Sequence, residues 1–124
     1  MTERVLVLDD EPSVVEILGQ HLQDEGYDCT LMTSAVDALE TLRGERYALL
    51  VTDLKMPDIH GIELMQRAKT DDPDLAVIVV TALLEATNAI DALRLGADDY
   101  LLKPFNLGEI SVAVSRALER RRLV

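Results

Sequence analysis

At 124 residues the chain has room for one ordinary domain with one core. Its 48% hydrophobic and 28% charged residues are globular in proportion, which excludes wholesale disorder, a collagen-like repeat and a disulfide scaffold. The net charge of −11 at pH 7 opposes extended contact with phosphate backbones or anionic lipid, so neither nucleic acid nor a membrane is an expected partner.

Val5 to Leu8 is an unbroken apolar run ending in acids, too short for a helix and too uniform for a half-exposed strand, so it predicts a strand buried on both faces. Pro12 and Ser13 open a first helix in which Val14, Ile17, Leu18 and Leu22 recur at three- and four-residue steps, ending at Gly26. Tyr27 to Met32 reads as a second strand. Ser34 has the N-cap chemistry to start a helix carrying Val36, Leu39 and Leu42, stopped by Gly44. Tyr47 to Thr52 is the third strand, and Ile59 to Lys69 the third helix, with Ile62 and Met65 inward. Ala76 to Val80 is the fourth strand, followed by a helix over Glu85 to Leu95 that ends at Gly96. Tyr100 to Leu102 is a short fifth strand closed by Pro104. Asn106 can cap a last helix with Glu109 three residues on, and Ile110, Val112, Val114 and Leu118 are its apolar positions. Such regular alternation implies a parallel sheet with helices on both faces and right-handed crossovers.

The single cysteine, Cys29, has no disulfide partner in the chain and no metal-knuckle spacing around it. Acids follow directly on the N-terminal apolar run, where a secretory signal needs a longer apolar core. The longest apolar stretch, Leu75 to Leu84, is interrupted by Thr81 and reaches about half the length of a membrane-spanning helix. A reducing, cytoplasmic setting is expected.

In open parallel sheets, functional groups collect beyond the carboxyl ends of the strands where strand order reverses. By that rule Asp9, Asp10 and Glu11 after strand 1, Asp53 at the end of strand 3, Thr81 at the end of strand 4 and Lys103 at the end of strand 5 share one rim. Carboxylates gathered there repel one another, so a hard cation or an ammonium is needed to keep them ionised, and magnesium suits an oxygen-only site. Asp53, between an apolar strand and the turn LKMPD, can act as a nucleophile towards phosphorus if cations offset the accumulating charge. Lys103 can supply one such cation, and the Thr81 hydroxyl can donate to a phosphoryl oxygen. Taken singly, each has a plainer role: Asp10 or Glu11 as a helix cap, Thr81 as an ordinary strand-end residue. Their combination on one rim is what points to chemistry.

Four segments together resemble the receiver domains of two-component response regulators: VLVLDDEPSV as the acidic-pair strand, VTDLKMPDIHG as the phosphoacceptor strand, VVTA as the hydroxyl strand and GADDYLLKPF as the lysine strand. The resemblance covers nearly the whole chain. It implies a doubly wound, flavodoxin-like (βα)5 fold with strand order 2-1-3-4-5, residues 1–124 forming one receiver domain that an output domain could follow in a longer chain. Asp53 would be the phosphoacceptor, Asp10 and Asp53 direct Mg2+ ligands, Asp9 a ligand through water, and Lys55 a ligand through its backbone carbonyl. Thr81 and Lys103 would hold the phosphoryl oxygens, Tyr100 would be the aromatic whose position follows Thr81, and the bond before Pro104 would be cis. The implied partners are a sensor histidine kinase or phosphotransfer protein, and an output domain or second copy on the helix 4, strand 5, helix 5 face. No turnover of a separate substrate is implied, only the domain's own phosphorylation and dephosphorylation. Lys55 and Leu83, two residues beyond Asp53 and Thr81, imply a relatively long-lived phosphoryl group.

Three rival readings are weaker. A pseudo-receiver acting only as an interaction module has no need of Asp9, Asp10, Asp53, Thr81 and Lys103 together. A haloacid-dehalogenase-like phosphatase places its nucleophile in a DxD after strand 1, where this chain has DDEP. A flavin carrier lacks its hydroxyl-rich phosphate loop. His21 and His60 have no third ligand at useful spacing and are expected to be surface residues. Arg116 and Arg120 are the expected charge partners of Asp98 and Asp99, while Ala113 stands where a partner arginine is expected for a dimer on that face.

Overall fold

The structure, a computed structural model, describes residues 2–82 and 86–123. Its parallel strands are β1 (Arg4–Leu8), β2 (Asp28–Met32), β3 (Leu49–Asp53), β4 (Ala76–Ala82) and β5 (Asp99–Lys103), hydrogen-bonded in the order β2-β1-β3-β4-β5. Helices α1 (Pro12–Asp24), α2 (Ala35–Gly44), α3 (Gly61–Asp71), α4 (Ala86–Arg94) and α5 (Leu107–Leu123) alternate with them. This is the expected doubly wound fold in the expected order.

The unbroken apolar runs are the central strands. In β1, β3 and β4 successive side chains point to opposite faces, and both faces are covered. Val5, Val7, Val51, Ile78 and Val80 pack beneath α1 and α5. Leu6, Leu8, Leu50, Val77 and Val79 pack beneath α2, α3 and α4. Among the described residues no helix is long and apolar enough to cross a membrane.

Two of the predicted helix stops work through handedness. Gly26 and Gly96 have φ of +100° and +121°. In both places the amide after the glycine bonds back into the last turn, Tyr27 N–H to the Leu22 carbonyl at 3.1 Å and Ala97 N–H to the Ala92 carbonyl at 2.9 Å. Gly44 instead ends α2 without a positive φ.

The structure departs from the periodicity at several residues. Ile17 and Val112, apolar positions in the helical patterns, face outward at 58% and 51% exposure. Glycine and alanine take the inward places: Gly19 in α1, and Ala113 and Ala117 in α5. Tyr47 precedes β3 instead of starting it. Its buried ring lies 4.3 Å from the Arg4 guanidinium and its hydroxyl bonds Thr30 Oγ1 at 2.8 Å, closing the pole opposite the rim. The third helix begins two residues later than predicted because His60 is its N-cap, Nδ1 accepting from Ile62 N–H at 3.2 Å. Strand β4 runs on to Ala82 because it pairs with β5 as far as Ala82 opposite Lys103.

Candidate functional site

The strand order puts β1 beside β3, so the loops after these two strands leave for opposite faces and open a crevice between them. Asp9 lies in that crevice at 2% exposure and Asp53 is partly buried beside it, while Asp10 is exposed at the mouth. Lys103 reaches across from β5. Its Nζ lies 3.0 Å from Asp9 Oδ2 and 3.0 Å from Asp53 Oδ2, so one ammonium joins carboxylates from two other strands.

Each carboxylate is also held by its other oxygen. Asp9 Oδ1 accepts from Glu11 N–H at 2.9 Å, and Asp53 Oδ1 accepts from Lys55 N–H at 3.1 Å. Burial works against the Lys103 charge, yet the bonds to Asp9 and Asp53 outweigh it and raise the pKa above the ordinary lysine value. Asp9, Asp10 and Asp53 each offer an oxygen atom, all within 4.8 Å of one another. That donor set, oxygen only and anionic, fits a hard divalent cation such as Mg2+.

Thr81 is buried at 1% exposure, one residue beyond Val80, the partner of Asp53 in the sheet. Thr81 pairs with Leu102 and Val79 with Tyr100. Thr81 and Tyr100 therefore lie on the same face of adjacent strands, the face covered by α3 and α4. Tyr100 is half-buried against that core and lies off the rim. The Lys103–Pro104 peptide is cis. Leu83 lies outside the described residues.

The loop after Asp53 is fixed at its base by two amides. Leu54 N–H donates to the Val80 carbonyl at 3.1 Å and Gly61 N–H to the Leu54 carbonyl at 2.8 Å. A Cβ on Gly61 would stand 2.6 Å from Leu54 Cα and 2.7 Å from the Asp53 carbonyl oxygen, so only glycine lets α3 start against the strand end.

Two kinds of residue carry no local signal of their place. The sequence marks Asp58 only as part of the turn LKMPD, yet its carboxylate sits on the N-terminus of α2, which only the fold brings near. The histidines have structural partners rather than surface solvation alone. His21 Nε2 is 2.6 Å from Ser111 Oγ on α5, and His60 caps α3. Asp98 is turned inward, accepting from Val77 N–H at 2.7 Å and Lys69 Nζ at 3.3 Å, and Arg120 donates to its backbone carbonyl at 2.7 Å instead of its carboxylate. Asp99 Oδ1 accepts from the Tyr100 amide at 2.8 Å. An apolar groove lined by Val14, Ile17, Leu18, Pro104, Phe105 and Leu107 borders Lys103.

The family model described as response regulator receiver domain matches residues 5–115. The chain belongs to that family. Response regulator MprA of Mycobacterium ulcerans (strain Agy99) is 40% identical over 121 residues, which cover 98% of this chain and 52% of that protein. The alkaline phosphatase synthesis transcriptional regulatory protein PhoP of Bacillus subtilis (strain 168) is 32% identical over 123 residues, 99% of this chain and 51% of that protein. The transcriptional regulatory protein ZraR of Klebsiella oxytoca is 35% identical over 96% of this chain and 27% of its own length. This receiver domain thus spans about half of MprA and PhoP and about a quarter of ZraR. A CheY-like receiver domain protein from Methanospirillum hungatei JF-1 superposes with a TM-score of 0.93 at 29% identity, covering 98% of both chains. The receiver domain is that of response regulators in two-component signalling.

Proposed function

We propose that this receiver domain takes a phosphoryl group onto Asp53 in the presence of Mg2+ and passes the change to the α4, β5, α5 face. The observation that carries the reading is the shared ammonium of Lys103, held 3.0 Å from both Asp9 and Asp53. A carboxylate oxygen of Asp53 forms the new bond to phosphorus while the bond to the donor's leaving group breaks. Asp10 and Asp53, with Asp9 through water and the Lys55 carbonyl, are the residues that would hold Mg2+. The ion supplies charge neutralisation at the phosphoryl oxygens when bound. Lys103 offsets the same charge from the β5 side, and Thr81 donates its hydroxyl to a phosphoryl oxygen. Drawing Thr81 towards those oxygens vacates space on the face it shares with Tyr100, which biases the packing of that ring and of α4.

The donor in this reading is a histidine kinase or phosphotransfer protein, for which the apolar groove beside Lys103 is a suitable seat. The recipient is an output domain or a second copy, with residues 1–124 acting as one receiver module. Intact mass after incubation with acetyl phosphate tests the reading. One added phosphoryl group is expected with Mg2+ and none with a chelator. Equal labelling of Asp53→Ala would overturn the assignment.

A further inference from the structure

The loop between β3 and α3 carries Lys55, and its outer end is tied to a helix that takes no other part in the site. Asp58 Oδ2 accepts from Val36 N–H at 3.0 Å and from the Ser34 hydroxyl at 3.2 Å, and Oδ1 accepts from Ala35 N–H at 3.4 Å and from Ile59 N–H at 3.1 Å. Ser34 Oγ in turn accepts from Asp37 N–H at 3.3 Å, the ordinary N-cap bond. The first turn of α2 is therefore capped twice, once by its own serine and once by a carboxylate 22 residues away from Val36. The Val36 amide, ahead of the cost of burial, holds the Asp58 carboxyl below its ordinary pKa.

Asp58 is exposed, so its contacts do little to hold the core together. What they decide is position. The base of the loop is closed by Gly61 and Leu54, Met56 is buried, and Asp58 pins the far end, leaving the Lys55 backbone between fixed points. On the reading that Mg2+ binds here, we infer that Asp58 is a positioning residue for the metal site: by clasping the first turn of α2 it sets the geometry of the Lys55 segment, and so the Mg2+ affinity, without touching the ion. Outer residues that orient ligands commonly affect metal affinity strongly. Linkage makes the effect mutual, so Mg2+ must tighten the clasp as the clasp favours Mg2+.

Calorimetric titration with Mg2+ and amide exchange at Val36 test this on the parent, Asp58→Ala and Asp58→Asn. Asp58→Ala is expected to weaken Mg2+ binding about three- to tenfold, below the usual range for outer residues because the bond is exposed. Asp58→Asn keeps an acceptor oxygen without the charge and is expected to recover most of that loss. In the parent, Mg2+ is expected to slow exchange of the Val36 amide, and in Asp58→Ala to leave it unchanged. Unaltered affinity in Asp58→Ala, equal losses in both variants, or a Val36 amide in the parent indifferent to Mg2+ would each overturn the inference. A parent domain that binds no Mg2+ at millimolar concentration would instead overturn the proposed function.

Discussion

Lys103 is the residue on which the rim depends, because it is the ammonium that Asp9 and Asp53 share. Lys103→Ala leaves a nearly buried carboxylate and its neighbour facing each other without that cation, which should cost on the order of 1–3 kcal/mol in metal-free buffer. Mg2+ can neutralise the same oxygens. The thermal midpoint of Lys103→Ala should therefore rise more on adding Mg2+ than that of the parent, and scanning calorimetry with and without chelator checks this. Cys29 illustrates the opposite case, a group that the fold silences. Burial first, then the nearby Asp28 charge, pushes its thiol up to about 11. At pH 8 that leaves roughly two orders of magnitude less thiolate than an ordinary cysteine. Alkylation should be correspondingly slow in the native domain and fast in urea. The unfolded chain loses the thiol proton first, so this contribution to stability is intact below about pH 8.5 and falls as pH rises towards the native value.

At the scale of elements, three glycines are expected to answer differently to alanine. Gly61→Ala drives a Cβ into backbone at 2.6 and 2.7 Å, and neither atom can retreat without moving the end of β3. A loss of about 1–3 kcal/mol is expected, together with weakened Mg2+ binding. Gly26→Ala forces an alanine into φ of +100° and should cost about 1 kcal/mol. Gly44, with ordinary φ and nothing within 4 Å of an added Cβ, should gain a few tenths of a kcal/mol from helix propensity. Urea midpoints of the three variants order them. For β5 and α4, the shared face of Thr81 and Tyr100 gives the expected route of the signal. Amide exchange with and without beryllofluoride should change across residues 86–105, and changes confined to the loops around Asp53 would reject that route.

For the molecule as a whole, a net charge of −11 on 124 residues means self-repulsion in the folded state. Raising the salt concentration towards physiological ionic strength should raise the thermal midpoint, because screening relieves repulsion more than it weakens the exposed ion pairs. Asp98 ties three elements at one pole, through Val77 of β4, Lys69 of α3 and Arg120 of α5, while Lys103 ties β1, β3 and β5 at the other. Both ties join residues distant in sequence, and so both are consequences of strand order.

Local patterns in the chain suffice for the elements and for the composition of the rim. Apolar runs marked β1, β3 and β4 because burial on both faces leaves no room for polar residues, and Gly26 and Gly96 marked helix ends because only glycine turns left-handed there without strain. Asp9, Asp10, Asp53, Thr81 and Lys103 were legible because each lies within two residues of the carboxyl end of a strand, and parallel strands place such residues on one rim. The tertiary structure alone decided which helix positions face outward, why Tyr47 is buried, that one ammonium serves two carboxylates, and that Asp58 meets the N-terminus of α2. The reason is range. Periodicity and capping are written within a few residues, whereas these contacts span tens of residues and exist only once the packed sheet has brought their elements together.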